Sequence, residues 1–254
     1  MDSSCLYMIF GILVFSCYTS YLAAVEFDHF VLSFQWPVTF CKNQKCKQPL
    51  LTHWTVHGFW PSNSNGSFVK DCSKSPFTAD RIPQRTMNEM KRIWPDLLKS
   101  TSSTFWSYQW QKHGTCADVE DTRTVAQYFS KATELALRFN ISTILKKRQI
   151  VEGNNFQIPE IEDSFRIETK HRPHILLKNV GRKPLWLWEV QLCFSKSFSL
   201  IDCHRRNKYQ GPVLYPSLTP SPAGHSISPD NGQCRSTAQT AWLALLFVLL
   251  CSVL

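Results

Sequence analysis

Apolar and polar residues alternate from Phe27 to Trp36, with Phe30, Leu32, Phe34 and Trp36 on one face and Val31, Ser33 and Gln35 on the other. A period of two predicts a half-buried strand. Between Asp80 and Trp94 the period lengthens: Met87, Met90 and Ile93 recur at helical intervals, and Pro83 fits only near the start of such a helix. A second helix is predicted from Thr122 to Phe139, where Val125, Tyr128, Phe129, Ala132, Leu135 and Leu137 form a broad apolar stripe. Further on, Trp186, Trp188, Val190, Leu192 and Phe194 alternate with Leu187, Glu189, Gln191 and Cys193, the pattern of a long antiparallel strand. Strands and helices are interspersed, so the predicted fold class is α+β, an antiparallel sheet packed with helices.

The two ends break this pattern. An apolar run, Tyr7 to Phe15, precedes Leu22-Ala23-Ala24 and reads as a secretory signal peptide spanning residues 1–24, although Asp2 stands where a basic residue is usual. Residues 25–216 form one expected domain. Residues 217–254 are a Pro/Ser-rich extension ending in an uncharged apolar run from Ala241 to Leu254, shorter than the ~20 residues that a spanning helix needs. Polar spacer and short apolar tail together match a GPI-attachment signal with Ser226 as an acceptable attachment residue; the alternative is a plain extension. The expected location is therefore secreted, or cell-surface if the anchor is added.

Export puts the chain in an oxidising compartment. Of ten cysteines, Cys5, Cys17, Cys234 and Cys251 fall in the terminal segments, leaving Cys41, Cys46, Cys72, Cys116, Cys193 and Cys203 in the domain. Six suits three disulfides but leaves their pairing open. Zinc is disfavoured, because no CxxC pair occurs. The sequons Asn65-Gly66-Ser67 and Asn140-Ile141-Ser142 are candidate glycosylation sites at Asn65 and Asn140. A formal charge of +9 suits a polyanionic partner without proving one.

Two stretches carry the chemistry. His53-Trp54-Thr55-Val56-His57-Gly58-Phe59-Trp60-Pro61 and Phe105-Trp106-Ser107-Tyr108-Gln109-Trp110-Gln111-Lys112-His113-Gly114-Thr115-Cys116 each set a histidine among tryptophan and glycine. RNA carries its own nucleophile, the 2′-hydroxyl. Cleavage needs one group to take that proton and another to protonate the departing 5′-oxygen, and histidine does either near neutral pH. If residues 105–113 are helical, Tyr108, Gln109, Lys112 and His113 share a polar face, with Trp106 and Trp110 holding the helix in the core.

Both stretches resemble the two active-site motifs of the ribonuclease T2 family, and the resemblance runs from Glu26 to Pro216. It implies a T2-type fold stapled by Cys41–Cys46, Cys72–Cys116 and Cys193–Cys203. It implies an endoribonuclease for single-stranded RNA that needs no metal or cofactor, is monomeric, and leaves 2′,3′-cyclic phosphate ends. His113 matches the general base, His57 the general acid and Lys112 the phosphate-stabilising cation; Gln109 stands at an assisting catalytic position. Gln35 and Phe105 match base-contacting positions, with Tyr108, Gln109 and Lys112 along the phosphate and ribose. The second motif departs from the family's Phe-Trp-x-His-Glu-Trp, with Tyr108 for His and Gln109 for Glu. Tyr108 still donates a hydrogen bond, but Gln109 cannot take a proton or support a protonated neighbour. This predicts an active, slower enzyme. Basic charge and variation at that pair also resemble the pistil self-incompatibility ribonucleases. The alternative is a T2-fold storage, binding or signalling protein of little activity. Trp60 is expected to prop His57, and His29, His171, His174, His204 and His225 to lie on the surface; His53, next to the motif, is a candidate ligand contact for which a surface role is preferred.

Overall fold

The computed structural model describes residues 26–47, 51–181 and 183–218; the signal-peptide and tail assignments, with His225, lie outside these described residues. Strand β1 (His29–Gln35) runs into a short helix α1 (Pro37–Cys41), started by a proline whose missing N–H costs nothing in a first turn. Next come β2 (Thr55–Ser62), α2 (Gln84–Ile93), α3 (Ser103–Lys112), α4 (Val125–Leu137) and α5 (Ile141–Lys146). The chain continues through β3 (Asn155–Phe156), α6 (Ile158–Thr169), β4 (His174–Lys178), β5 (Leu185–Phe194), β6 (Leu200–Ile201) and β7 (Val213–Leu214). The α+β expectation holds.

Helix starts fall where capping chemistry puts them. Pro83 is the N-cap of α2, so the helix begins at Gln84 rather than at Asp80. Thr124 and Gln127 form a reciprocal capping box that starts α4 at Val125, after a separate 3-10 turn at Glu120–Thr122. Helices α1, α5 and α6 and strand β4 were not predicted, although Ile158, Ile161 and Phe165 of α6 recur at helical spacing.

The strands join in the order β2-β1-β5-β7-β3, and β4 and β6 also pair with β5. One pairing corrects the all-antiparallel expectation: β7 lies parallel to β5, while the others are antiparallel. A larger correction concerns β1, predicted half-buried, whose seven residues are all buried. Both sheet faces are covered. On one, Phe30, Leu32, Phe34, Phe59, Val190, Leu192 and Phe194 meet the apolar sides of the helices in the main core. On the other, Val31 pairs with Trp60 and Cys193, and these pack with Cys203, Phe68 and Ile201 in a smaller cluster. The Ser33, Gln35, Glu189 and Gln191 side chains occupy this second face, all buried. A strip of polar groups buried in a sheet must find partners or a ligand.

All three expected disulfides are present, Cys41–Cys46, Cys72–Cys116 and Cys193–Cys203. The second ties the loop after β2 to the 3-10 turn Gly114–Cys116 that follows α3.

Candidate active site

His57 owes its position to an irregularity in β2. Ser33 pairs with Gly58 and Phe34 with Val56, so His57 is the unpaired residue of a bulge, a device that re-aims one side chain. Its carbonyl accepts from the Trp94 indole (3.2 Å), and its Nδ1 lies 2.9 Å from Glu189 Oε1. Glu189 is 2% exposed; its other oxygen accepts from Ser33 Oγ at 2.6 Å and from Gln191 Nε2 at 3.4 Å.

His113 is the residue that ends α3, with φ −127° and ψ −45°. Its ring packs on Trp60 (centroids 5.5 Å) and Phe68 (6.4 Å), and His57 packs edge-on against the same Trp60 (5.1 Å). One indole thus organises both imidazoles. Trp60 is fixed by donating to Gln109 Oε1 at 2.9 Å. The motif glycines explain themselves here: a Cβ on Gly58 would stand 2.1 Å from the Trp60 ring, and one on Gly114 2.4 Å from Trp110. Trp106 and Trp110 are buried and anchor α3, as expected.

The polar face predicted for α3 is not a single face. Tyr108 is 56% exposed, whereas Gln109 is 2% exposed beneath Trp60, so Gln109 reaches the site through the indole rather than along an exposed surface. Lys112 Nζ is held 2.6 Å from Asp71 Oδ2, and the Asp71 N–H donates to the Lys112 carbonyl (2.9 Å). That hydrogen bond to the Asp71 carboxylate raises the Lys112 pKa above its ordinary value.

Burial pushes the His113 pKa down to about 4; the nearby Val69 carbonyl opposes the shift, Lys112 and His57 add to it, and Asp71 offsets part of it. Its Nδ1 is buried without a hydrogen bond of good geometry. His113 is therefore neutral at pH 7 and able to take a proton. Burial also lowers His174, again to about 4, with Arg205 adding to the shift, and it lowers His29. These histidines bind protons more readily unfolded than folded. They contribute stability above pH 6.5 that is lost as pH falls toward 4. Thermal melts are expected to show a lower Tm at pH 4.5 than at pH 7.

An open groove runs past His57, lined also by Gln35, Phe40, Leu97, Leu98, Phe105 and Tyr108. Gln35 is buried, and its Oε1 has no partner in the protein. An unpaired carboxamide oxygen beside aromatic rings suits the edge and face of a base. Another cleft, lined by His53, Arg92, Phe139 and Asn140, offers one imidazole already engaged with the Arg92 carbonyl (3.2 Å), so it lacks the acid–base pair. Asn65 and Asn140 are both exposed, each with its side-chain oxygen accepting a backbone N–H, from Ser67 and Thr143 respectively.

Some surface expectations fail. His29 is 4% exposed on β1, and His174 is half-buried on β4, because the second sheet face is covered by the chain around Cys203 to Arg205. His204 is exposed, and His171 lies 3.4 Å from Asp202. Sequence reasoning missed Glu189, Ser33 and Asp71. For the first two the available signal was two predicted strands carrying polar residues at matching alternate positions; Asp71 gave none.

The ribonuclease T2 family model matches residues 27–203. The chain belongs to the ribonuclease T2 family. Its class as a ribonuclease follows from that membership. The chain is 32% identical to ribonuclease T2 of Danio rerio over 187 residues, covering 72% of this chain and 75% of that protein. It is 31% identical to extracellular ribonuclease LE of Solanum lycopersicum over 215 residues, with 80% and 93% coverage. Among solved structures, a variant of RNase MC1 in complex with 5′-GMP superposes with a TM-score of 0.68 at 28% identity, covering 75% of this chain and all of that one. These two relatives, one from an animal and one from a plant, are similar to this chain at nearly equal identity.

Proposed function

We propose that this T2 ribonuclease cleaves single-stranded RNA by metal-free transesterification. His113 takes the 2′-hydroxyl proton, the 2′-oxygen attacks phosphorus, and the 5′-oxygen leaves with a proton from His57, giving a 2′,3′-cyclic phosphate and a free 5′-hydroxyl. Lys112 meets the charge that builds on the phosphate oxygens. Gln35, Phe105 and Tyr108 receive a base and its ribose in the groove. The observation that carries this reading is the pair of imidazoles packed on one indole in different surroundings: His113 in an apolar pocket that keeps it neutral, His57 against a carboxylate with which it forms an ion pair when protonated. An imidazole that burial keeps neutral suits the base, and one that faces a carboxylate suits the acid. The 5′-GMP complex of an RNase MC1 variant supports a nucleotide as the class of ligand. An oligonucleotide with a single 2′-deoxy sugar is expected to be cut everywhere except at that sugar; cutting there rules out attack by the 2′-oxygen.

Gln109 accounts for an expected deficit. A carboxylate beneath Trp60 would accept the same indole hydrogen bond and add negative charge near His113 as it becomes cationic. Gln109→Glu is expected to raise kcat by about 10- to 100-fold in steady-state assays. Retention of His57, Lys112 and His113 together supports an enzyme over an inactive binding protein. For a role in self-incompatibility the support is limited to basic charge and the Tyr108–Gln109 pair. We place the enzyme in the secretory pathway, with sugars at Asn65 and Asn140. Glycolipid attachment through the tail requires membrane-bound protein that phosphatidylinositol-specific phospholipase C releases.

A further inference from the structure

Three adjacent strands, β2, β1 and β5, contribute polar side chains that converge on one carboxylate. Glu189 sits in the interior of β5, opposite Gln35 of β1, and takes hydrogen bonds from His57 on β2, Ser33 on β1 and Gln191 on its own strand. A carboxylate at 2% exposure is costly unless its lone pairs are occupied, and here three donors occupy them. Ordinary packing would place an apolar residue at such a position, as at Leu187, Val190 and Leu192 nearby. The groove-lining imidazole is the only one of the three donors that the proposed reaction uses.

We propose that Glu189 is a positioning residue for His57, fixing its tautomer and ring orientation so that Nε2 is the nitrogen that serves the leaving 5′-oxygen. A carboxylate has no proton to give, so neutral His57 must carry its hydrogen on Nδ1, 2.9 Å from Oε1. Nε2 then has the free lone pair. It gains a proton from solvent before the reaction and releases it as the P–O5′ bond breaks, while Nδ1–H stays on Glu189 throughout. The bulge at His57 turns the ring toward the carboxylate, and Ser33, with no exposed surface, holds Oε2 from below. This arrangement rests on His57 being the acid in the reading above.

The test uses two substrates that differ in their need for an acid. Glu189→Gln keeps the shape but can donate as well as accept, so it no longer dictates the tautomer. With a dinucleotide, whose alkoxide leaving group needs a proton, kcat is expected to fall about 10²-fold. With uridine 3′-(4-nitrophenyl phosphate), whose phenolate leaves without one, the fall is expected to stay within about threefold. Ser33→Ala, which leaves the carboxylate in place, is expected to show the same selectivity with a smaller loss. Equal losses on both substrates, or no loss on the dinucleotide, overturn the proposal. Nitrogen-15 NMR of the histidine rings reads the tautomer without any turnover: wild-type His57 is expected as the Nδ1–H form and Glu189→Gln as a mixture, and an unchanged tautomer also overturns it. If the wild type cuts neither substrate, the functional reading fails, and the NMR result still decides the role of Glu189.

Discussion

His113→Ala is expected to lower kcat on single-stranded RNA by about 10³- to 10⁴-fold while KM changes little. In the proposed reaction the imidazole accepts the 2′-hydroxyl proton, and the other bases near it are already committed, His57 against Glu189 as the acid and Asp71 to Lys112. Lys112 is held protonated by Asp71, Gln109 has no basic site, and the aromatic neighbours Trp60 and Phe68 are not bases. Groove residues Gln35, Phe105 and Tyr108 remain, so substrate binding persists. The acidic limb of the wild-type kcat/KM profile should lie near pH 4, since His113 must be neutral to act and burial lowers its pKa to about that value. Activity falls as pH drops through this limb. Steady-state kinetics across pH, with circular dichroism to verify the fold, check both statements; a loss under tenfold would show that another group is the base.

The second large effect concerns stability. Replacing Cys72 and Cys116 together by serine opens a covalent loop of sequence separation 44, the longest of the three. Loop-closure entropy puts the cost at about 4 kcal/mol, against about 2 kcal/mol for the five-residue separation of Cys41–Cys46. In a domain of this size the larger loss corresponds to a fall in Tm of about 10 °C. Activity should suffer even below the melting transition. Cys72 follows Asp71, which holds Lys112, and Cys116 lies just past His113, so the bridge clamps the cation and the base from both sides. Differential scanning calorimetry and kinetics at low temperature separate the two consequences. A Tm within 2–3 °C of wild type would mean that packing of α3 through Trp106 and Trp110 positions the site unaided.

Much of this architecture was legible along the chain because its signals are local. Alternation marks β1 and β5, a 3.6-residue period marks α2 and α4, and the histidines stand inside dense aromatic motifs. What escaped depends on the tertiary fold. Alternation reveals two faces of a strand but not what covers them, so β1 was predicted half-buried and its polar face solvated. Once the Phe68 and Cys203 segments close over that face, Ser33, Gln35, Glu189 and Gln191 become interior groups, and two of them hold the partner of His57. The same covering buries His29. Gln109 illustrates another limit, since helical spacing placed it beside Lys112 while the Trp60 indole draws it inward. Asp71 reaches Lys112 from 41 residues away through a loop with φ of +63°, and no periodicity announces such a contact.

In the proposed reaction two histidines, without a metal, make RNA cut itself through its own 2′-oxygen. The most direct measurement is mass spectrometry of the early products from a short single-stranded RNA treated with the purified protein in EDTA. Fragments ending in 2′,3′-cyclic phosphate, paired with fragments beginning in a 5′-hydroxyl, are expected. Products bearing a 5′-phosphate and a 3′-hydroxyl, or cleavage abolished by EDTA, would contradict it.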